Sequence, residues 1–190
     1  MRTLKQVISP RFIIALFLVG FGIISRTVFD IAPNVEFVTL LSLLAGAYLG
    51  GFWAVLVPLG IMFGSDMIIG NTNIFLFTWS AFLLGASAGL LLRKLRLNNK
   101  IVLAAFGAGM AFSIFFYLYT NFGVWLITPF YEKNLGGLLY SYYLGLPFLK
   151  LNLIGNMIVV PAGFAVAEFV YRRALGWNRQ RSSLSRSEEK

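Results

Sequence analysis

The sequence SRTVFDIAPNVE, from Ser25 to Glu36, interrupts a long apolar run with one basic residue, two acids and a Pro-Asn turn. Pro33 fixes its own φ angle and disfavours the helical conformation for Ala32, so the first helix is predicted to end near this bend. Charged groups are scarce elsewhere in the chain. We therefore predict that the polar side chains of the bend converge on a solute at a membrane surface.

The chain has the composition of an integral membrane protein. Of its 190 residues, 58% are hydrophobic and 12% are charged, and the mean hydropathy is +0.79. Because lipid offers no hydrogen-bond partners, apolar segments that cross it must be helices or a closed barrel. The apolar runs are continuous rather than alternating, which favours helices. An all-α membrane protein with one compact bundle is therefore predicted.

Six apolar runs are assigned as transmembrane helices: 12–24, 37–49, 52–69, 74–92, 101–119 and 151–171. Before the last run, residues 120–150 mix tyrosines and a tryptophan with prolines and charges, and such aromatics prefer the headgroup level. This segment is predicted to be an amphipathic or partly re-entrant cap on the outer side. Residues 1–172 form the predicted six-helix domain, and residues 173–190 are predicted to be a basic, disordered cytoplasmic tail.

The distribution of positive charge predicts how the bundle is oriented. With six spans, the two termini and the loop at 93–100 lie on one side, and together they carry 13 of the 16 Lys and Arg residues. Basic residues are retained on the cytoplasmic side of membranes. Both termini are therefore predicted to be cytoplasmic, in a multi-pass protein of the cell membrane.

The missing residue types exclude several kinds of chemistry. The sequence contains no cysteine and no histidine, which removes disulfides, thiol nucleophiles and the usual zinc sites. No metal or cofactor site is predicted. Nucleic acid is not an expected partner, because the basic residues behind the net charge of +9 are distributed as in a membrane protein. The expected partner is the lipid bilayer. The chain is not predicted to be an enzyme, although an intramembrane enzyme using Asp30, Asp66 or Glu132 remains an alternative.

The candidate site consists of polar side chains predicted to lie near the outer ends of the spans. Asp66 stands out because an acid at membrane depth is usually paired or functional. Asp66 either contributes to a solute site, pairs with Arg26 or caps a helix. Arg26 and Asp30 are four residues apart, so they either bind a ligand or pair with each other. Asn152 and Asn156 either bind a ligand or join neighbouring helices, the commoner role of such amides. The complete candidate set is Arg26, Asp30, Asn34, Glu36, Asp66, Asn71, Asn73, Asn121, Trp125, Asn152 and Asn156.

Three motifs carry a resemblance to a known family: NFGVW at 121–125, LGGLLYSYYLGLPF at 135–148 and NLIGN at 152–156. With six spans and both termini inside, they resemble the substrate-binding S component of energy-coupling factor transporters, and a bacterial membrane family related to it. The resemblance implies a subunit that captures a small polar molecule outside and docks on a transmembrane coupling protein driven by paired ATPases.

The resemblance also implies a docking surface on the first helix, where many S components carry two alanines four residues apart. Ala15 matches the first alanine, Val19 occupies the position of the second, and Gly22 completes the predicted docking residues. The chain has no P-loop signature, so any ATP hydrolysis is expected to belong to a partner. The alternative to a solute-binding subunit is a stand-alone structural or assembly protein, in which the outer charges pair among themselves.

Overall fold

The computed structural model of the chain describes residues 9–28, 37–71, 73–95 and 100–188, with side chains described as far as Ala174. Within these ranges the chain is helical and contains no strand. The six helices are α1 (Pro10–Thr27), α2 (Val38–Leu44), α3 (Phe52–Ile69), α4 (Phe75–Leu92), α5 (Ile101–Ile127) and α6 (Leu135–Glu188). A π-helical turn, Ala45–Leu49, extends α2, and a 3₁₀ turn, Arg93–Leu95, follows α4.

The start of α1 is determined by its sequence. The Ser9 hydroxyl caps the helix by accepting a hydrogen bond from the backbone N–H of Phe12, and Pro10 occupies the first helical position, where it loses no intrahelical bond. The helix continues to Thr27, three residues beyond the apolar run predicted at 12–24. The Pro33 bend lies outside the described residues, together with three candidate site residues, Asp30, Asn34 and Glu36.

Helix α2 is the centre of the bundle. Nearly all of its residues are buried, on one side against α1, α3 and α4 and on the other against α4, α5 and α6. With its π-helical turn it spans Val38–Leu49, or about 18 Å, whereas the hydrocarbon core of a bilayer is about 30 Å thick. As described, this helix is too short to be the second of six spans.

The other five helices are long and apolar enough to cross a membrane. Large apolar side chains cover their outward faces, among them Phe17, Met67 and Leu103, each about 70% exposed. Such a surface is stable in lipid and unfavourable in water. The structure therefore supports a multi-pass membrane bundle.

Glycines allow α2 and α4 to cross at backbone contact. A Cβ atom on Gly89 would lie 2.5 Å from the carbonyl oxygen of Leu43 and 3.1 Å from the Cα of Gly46. Since no side chain separates the two backbones here, the helices approach more closely than larger residues permit. The crossing fixes the central helix against the wall of the bundle.

The segment 120–150 is not the separate cap predicted from its aromatic residues. Helix α5 continues to Ile127, the connector 128–134 follows, and α6 begins at Leu135. Hydrogen bonds join the two helices: the hydroxyl of Tyr117 donates to the backbone carbonyl of Tyr142 at 2.7 Å, and that of Ser141 donates to the backbone carbonyl of Asn121 at 3.0 Å. The polar groups thus join two antiparallel helices.

The end of the chain also differs from the prediction. The backbone of α6 is helical through two internal prolines and as far as Glu188, where the charged and serine-rich composition predicted disorder after residue 172. After Pro161 no further proline interrupts the sequence. The helix can therefore extend beyond the apolar part of the chain.

Candidate functional site

The described candidate residues do not form a single pocket. Arg26 and Asp66 meet where α1, α3 and α4 come together. Asn121, Asn152 and Asn156 meet between α5 and α6. The remaining three, Asn71, Asn73 and Trp125, lie in or beside connecting segments at the same end of the bundle.

The Asp66 cluster consists of Arg26, Met62, Ser65, Asp66 and Trp79. Nη1 of Arg26 lies 2.9 Å from Oδ1 of Asp66 and 2.6 Å from the hydroxyl of Ser65. The indole N–H of Trp79 donates to the other carboxylate oxygen, Oδ2, at 2.8 Å. The side chains of Arg26 and Asp66 are only 12% and 9% exposed. Both carboxylate oxygens are therefore hydrogen-bonded, as a buried ion pair requires.

This geometry corresponds to the alternative in which Asp66 pairs with Arg26. The pair and the indole link three helices, because Arg26 belongs to α1, Asp66 to α3 and Trp79 to α4. Trp79 was not among the predicted site residues. A signal existed, since a tryptophan N–H in an apolar helix needs an acceptor, and Asp66 precedes it across a short turn.

The amide cavity is a partly open space of about 230 Å³ between α5, α6 and the start of α4. Two candidate residues, Asn121 and Asn152, line it. Asn156 lies behind them, 2% exposed, and its amide N–H groups donate to Ser113 at 2.8 Å and to Asn152 at 3.0 Å. The residues that line the amide cavity are Ile74, Ser113, Phe116, Tyr117, Thr120, Asn121, Val124, Phe148, Leu149 and Asn152.

Most residues of the amide cavity come from one face of α5. The positions 113, 116, 117, 120, 121 and 124 recur every three or four residues, which places them on a single stripe of a helix. Four of these residues were not among the predicted site residues: Ser113, Phe116, Tyr117 and Thr120. The stripe was not recognised because α5 was predicted to end at residue 119, in the middle of the pattern.

Trp125 belongs to the hairpin tip, defined as residues 125–134, rather than to the amide cavity. Its indole N–H donates to the carbonyl of Glu132 at 2.9 Å. The ammonium group of Lys133 lies 5.9 Å from the centre of the Trp125 ring and donates to the carbonyls of Trp125 and Thr128. These bonds close the turn between α5 and α6, so they account for the polar residues of the tip without a ligand.

Asn71 and Asn73 are exposed in the turn between α3 and α4 and line neither the amide cavity nor the Asp66 cluster. At the opposite end of the bundle, Glu168 and Arg172 form the local pair that their spacing predicts, at 2.8 Å. The hydroxyl of Tyr48, on the π-helical turn, also donates to Glu168, at 3.0 Å. Among residues 9–28, 37–71, 73–95 and 100–188, no group of acidic residues could hold a metal ion.

The predicted docking residues of α1 face the interior. Ala15 is 3% exposed, and a Cβ atom on Gly22 would lie 2.6 Å from the side chain of Ile61 on α3. Val19 packs beside Gly60 of the same helix. A partner could contact this stripe only after α1 separates from α3.

In the described residues, these features define an α-helical, multi-pass membrane protein with a buried ion-pair cluster and an uncharged cavity that carries a few polar groups. The chain belongs to a family of unknown function, DUF6580, whose sequence profile matches residues 6–181. No curated protein and no solved structure matches the chain significantly.

Proposed function

We propose that this protein is a solute-binding membrane subunit that takes up a small polar molecule from the outer face of the cell membrane. The observation that supports this function is the amide cavity, where Asn121 and Asn152 line a space of about 230 Å³. That volume corresponds to about eight water molecules, enough for a small solute. Ligand sites commonly combine apolar walls with a few polar groups in this way.

The position of the cavity fits the short central helix. Leu40, near the start of α2, packs beside Gly163 of α6, about 16 Å along that helix from Asn152. The described part of α2 therefore fills the bundle only on the far side of the cavity. The cavity lies in the half of the bundle where α2 leaves space between longer helices.

The proposed orientation puts the cavity toward the outside and both termini in the cytoplasm, since the opposite end carries most of the basic residues. The absence of cysteine from the sequence allows a direct test. We expect a membrane-impermeant maleimide to label Phe130→Cys, at the exposed hairpin tip, in intact cells. It should label Lys94→Cys, at the other end, only after lysis. The reverse pattern would overturn the orientation.

We propose ATP-driven uptake with a transmembrane coupling protein and paired ATPases, on the basis of the three sequence motifs that resemble S components. In this proposal the stripe of Ala15, Val19 and Gly22 contacts the coupling protein when α1 moves away from α3. Catalysis by Asp66 receives no support, because both of its carboxylate oxygens already accept hydrogen bonds from Arg26 and Trp79.

A stand-alone structural protein is the second candidate, favoured by the Asp66 cluster. There Arg26 and Asp66, two of the residues first expected to bind a solute, bond to each other. In that case the amide cavity would be a packing defect between α5 and α6, and the bundle would have no solute to recognise.

The two functions differ in their response to solutes. In lipid nanodiscs, we expect at least one compound from a panel of amino acids, nucleosides and vitamins to raise the unfolding temperature by roughly 5–10 °C at about 100 times its Kd. Asn121→Leu should abolish the shift and the uptake of that compound by cells, whereas Ser87→Ala, an exposed hydroxyl bonded within its own helix, should preserve both. Equal responses in all three proteins would favour the structural function.

A further inference from the structure

We propose that the amide cavity selects an uncharged solute with hydrogen-bond donors on a flat apolar body, such as a ring that carries a primary amide. This inference rests on the proposed function and names the class of solute. It follows from three properties of the ten lining residues: their charge, their remaining hydrogen-bonding capacity and the shape of the apolar walls.

The lining contains no Asp, Glu, Lys or Arg side chain. Of the described charges at this end of the bundle, Arg26 pairs with Asp66, Lys133 donates to the carbonyls of the hairpin tip and Glu132 accepts from Asn134. Lys150, next to the lining residue Leu149, is exposed and does not line the cavity. A charged solute would lose its hydration in the cavity without gaining a counter-ion from the lining, which is unfavourable. The cavity therefore favours a neutral molecule.

The hydroxyl protons of the cavity are already used within the helices. Ser113 donates to the carbonyl of Gly109 at 3.0 Å, Thr120 to that of Phe116 at 2.7 Å, and Tyr117 to that of Tyr142 at 2.7 Å. The oxygens of Thr120 and Tyr117 retain lone pairs that can accept a bond, whereas that of Ser113 already accepts one from Asn156 at 2.8 Å. These hydroxyl groups can therefore offer a solute acceptors but not donors.

Asn121 adds a carbonyl oxygen to these acceptors. One amide N–H of Asn121 donates to the carbonyl of Tyr117 at 2.8 Å, whereas its Oδ1 accepts no hydrogen bond from the part of the chain that the structure describes. The side chain sits against Gly145, where a Cβ atom would lie 2.6 Å from Oδ1. The glycine thus leaves room for the amide, and a donor on the solute would satisfy it.

The walls between these polar groups are aromatic and aliphatic. Phe116, Tyr117 and Phe148 supply rings, and Ile74, Val124 and Leu149 complete the lining. Aromatic side chains stack or pack edge to face against planar rings. A flat solute can therefore contact the walls while its donors reach Asn121 and the hydroxyl oxygens of α5.

A matched series of ring compounds tests this selectivity. Benzamide is neutral and has two N–H donors, N,N-dimethylbenzamide has none, benzoate is an anion and benzylammonium a cation. With the full-length protein in nanodiscs, saturation-transfer NMR is expected to show benzamide binding about tenfold more tightly than the other three. Asn121→Leu should weaken benzamide binding about tenfold, and Ser87→Ala should leave it unchanged. Protein-free nanodiscs measure partitioning into lipid.

The outcomes separate the solute class from the function itself. Asn121-dependent binding that is strongest for benzoate or benzylammonium would overturn neutrality and leave a solute-binding cavity. Equal binding of benzamide and its dimethyl analogue would overturn the requirement for donors. If none of the four binds in an Asn121-dependent manner, the inference fails, while the metabolite panel decides the function separately.

Asn121→Asp, which keeps the side-chain shape, should shift the preference toward benzylammonium; an unchanged preference would contradict the assigned site.

Discussion

Gly46→Ala is expected to lower the free energy of unfolding by about 3 kcal/mol, at the upper end of the range for overpacking a core. A Cβ atom at this position would meet the carbonyl oxygen of Ala86 and lie 2.7 Å from the carbonyl carbon of Gly89. Both contacts are with backbone atoms of α4, which cannot rotate away as a side chain can. The new methyl group would therefore force α2, the central helix, away from α4.

Unfolding of the full-length protein in detergent or nanodiscs measures this effect. Gly107→Ala is the matched control, because a Cβ atom on Gly107, in α5, has no atom within 4 Å. This control should be neutral or slightly stabilising, since alanine favours helices more than glycine does. If Gly46→Ala were as stable as Gly107→Ala, the close crossing of α2 and α4 would be wrong.

Arg26→Met is expected to lower the free energy of unfolding by about 3–5 kcal/mol, the usual effect of breaking a buried ion pair. The side chain of Asp66 is only 9% exposed, and this substitution removes the cation that faces its Oδ1. The indole N–H of Trp79 remains bonded to Oδ2. One carboxylate oxygen is then left without its charged partner in a poorly solvated position, which is the physical origin of the loss.

A second substitution separates this electrostatic effect from lost packing. In Arg26→Met/Asp66→Asn, the charge is removed while an amide oxygen can still accept from Trp79, so much of the lost stability should return. Arg11→Met, an exposed cation near the other end of α1, serves as the control and should change stability little. A double variant no more stable than Arg26→Met would show that the charge of Asp66 is not the cause.

Part of the site was predictable from charge alone. An arginine and an aspartate in apolar surroundings were expected to bind a solute or each other, and the structure contains the ion pair. Their third partner, Trp79, was not predicted, because a tryptophan in an apolar span is equally consistent with a headgroup contact. The amides Asn152 and Asn156 were expected either to bind a ligand or to join helices. Asn156 does join α6 to α5, through Ser113.

The prediction for residues 120–150 failed because composition cannot distinguish a membrane surface from a polar helix interface. Tyrosines and amides suit both environments, since both offer hydrogen-bond partners beside apolar surface. Here 120–127 continue α5 and 135–150 begin α6, and the two antiparallel helices are joined by bonds from the Tyr117 hydroxyl to the backbone carbonyl of Tyr142 and from the Ser141 hydroxyl to that of Asn121. That pairing involves residues 20 or more positions apart, so no local pattern reveals it.

The sequence by itself determined that the chain is helical and belongs in a membrane, because lipid requires that apolar segments satisfy their own backbone hydrogen bonds. It also identified Arg26, Asp66 and the amides as polar residues in apolar surroundings. Only the tertiary structure decided that α2 is a short central helix and that the candidate residues divide between an ion-pair cluster and an uncharged cavity. The reason is that helix packing depends on distant contacts, such as Gly46 with Gly89 and Asn156 with Ser113, which no local sequence window contains.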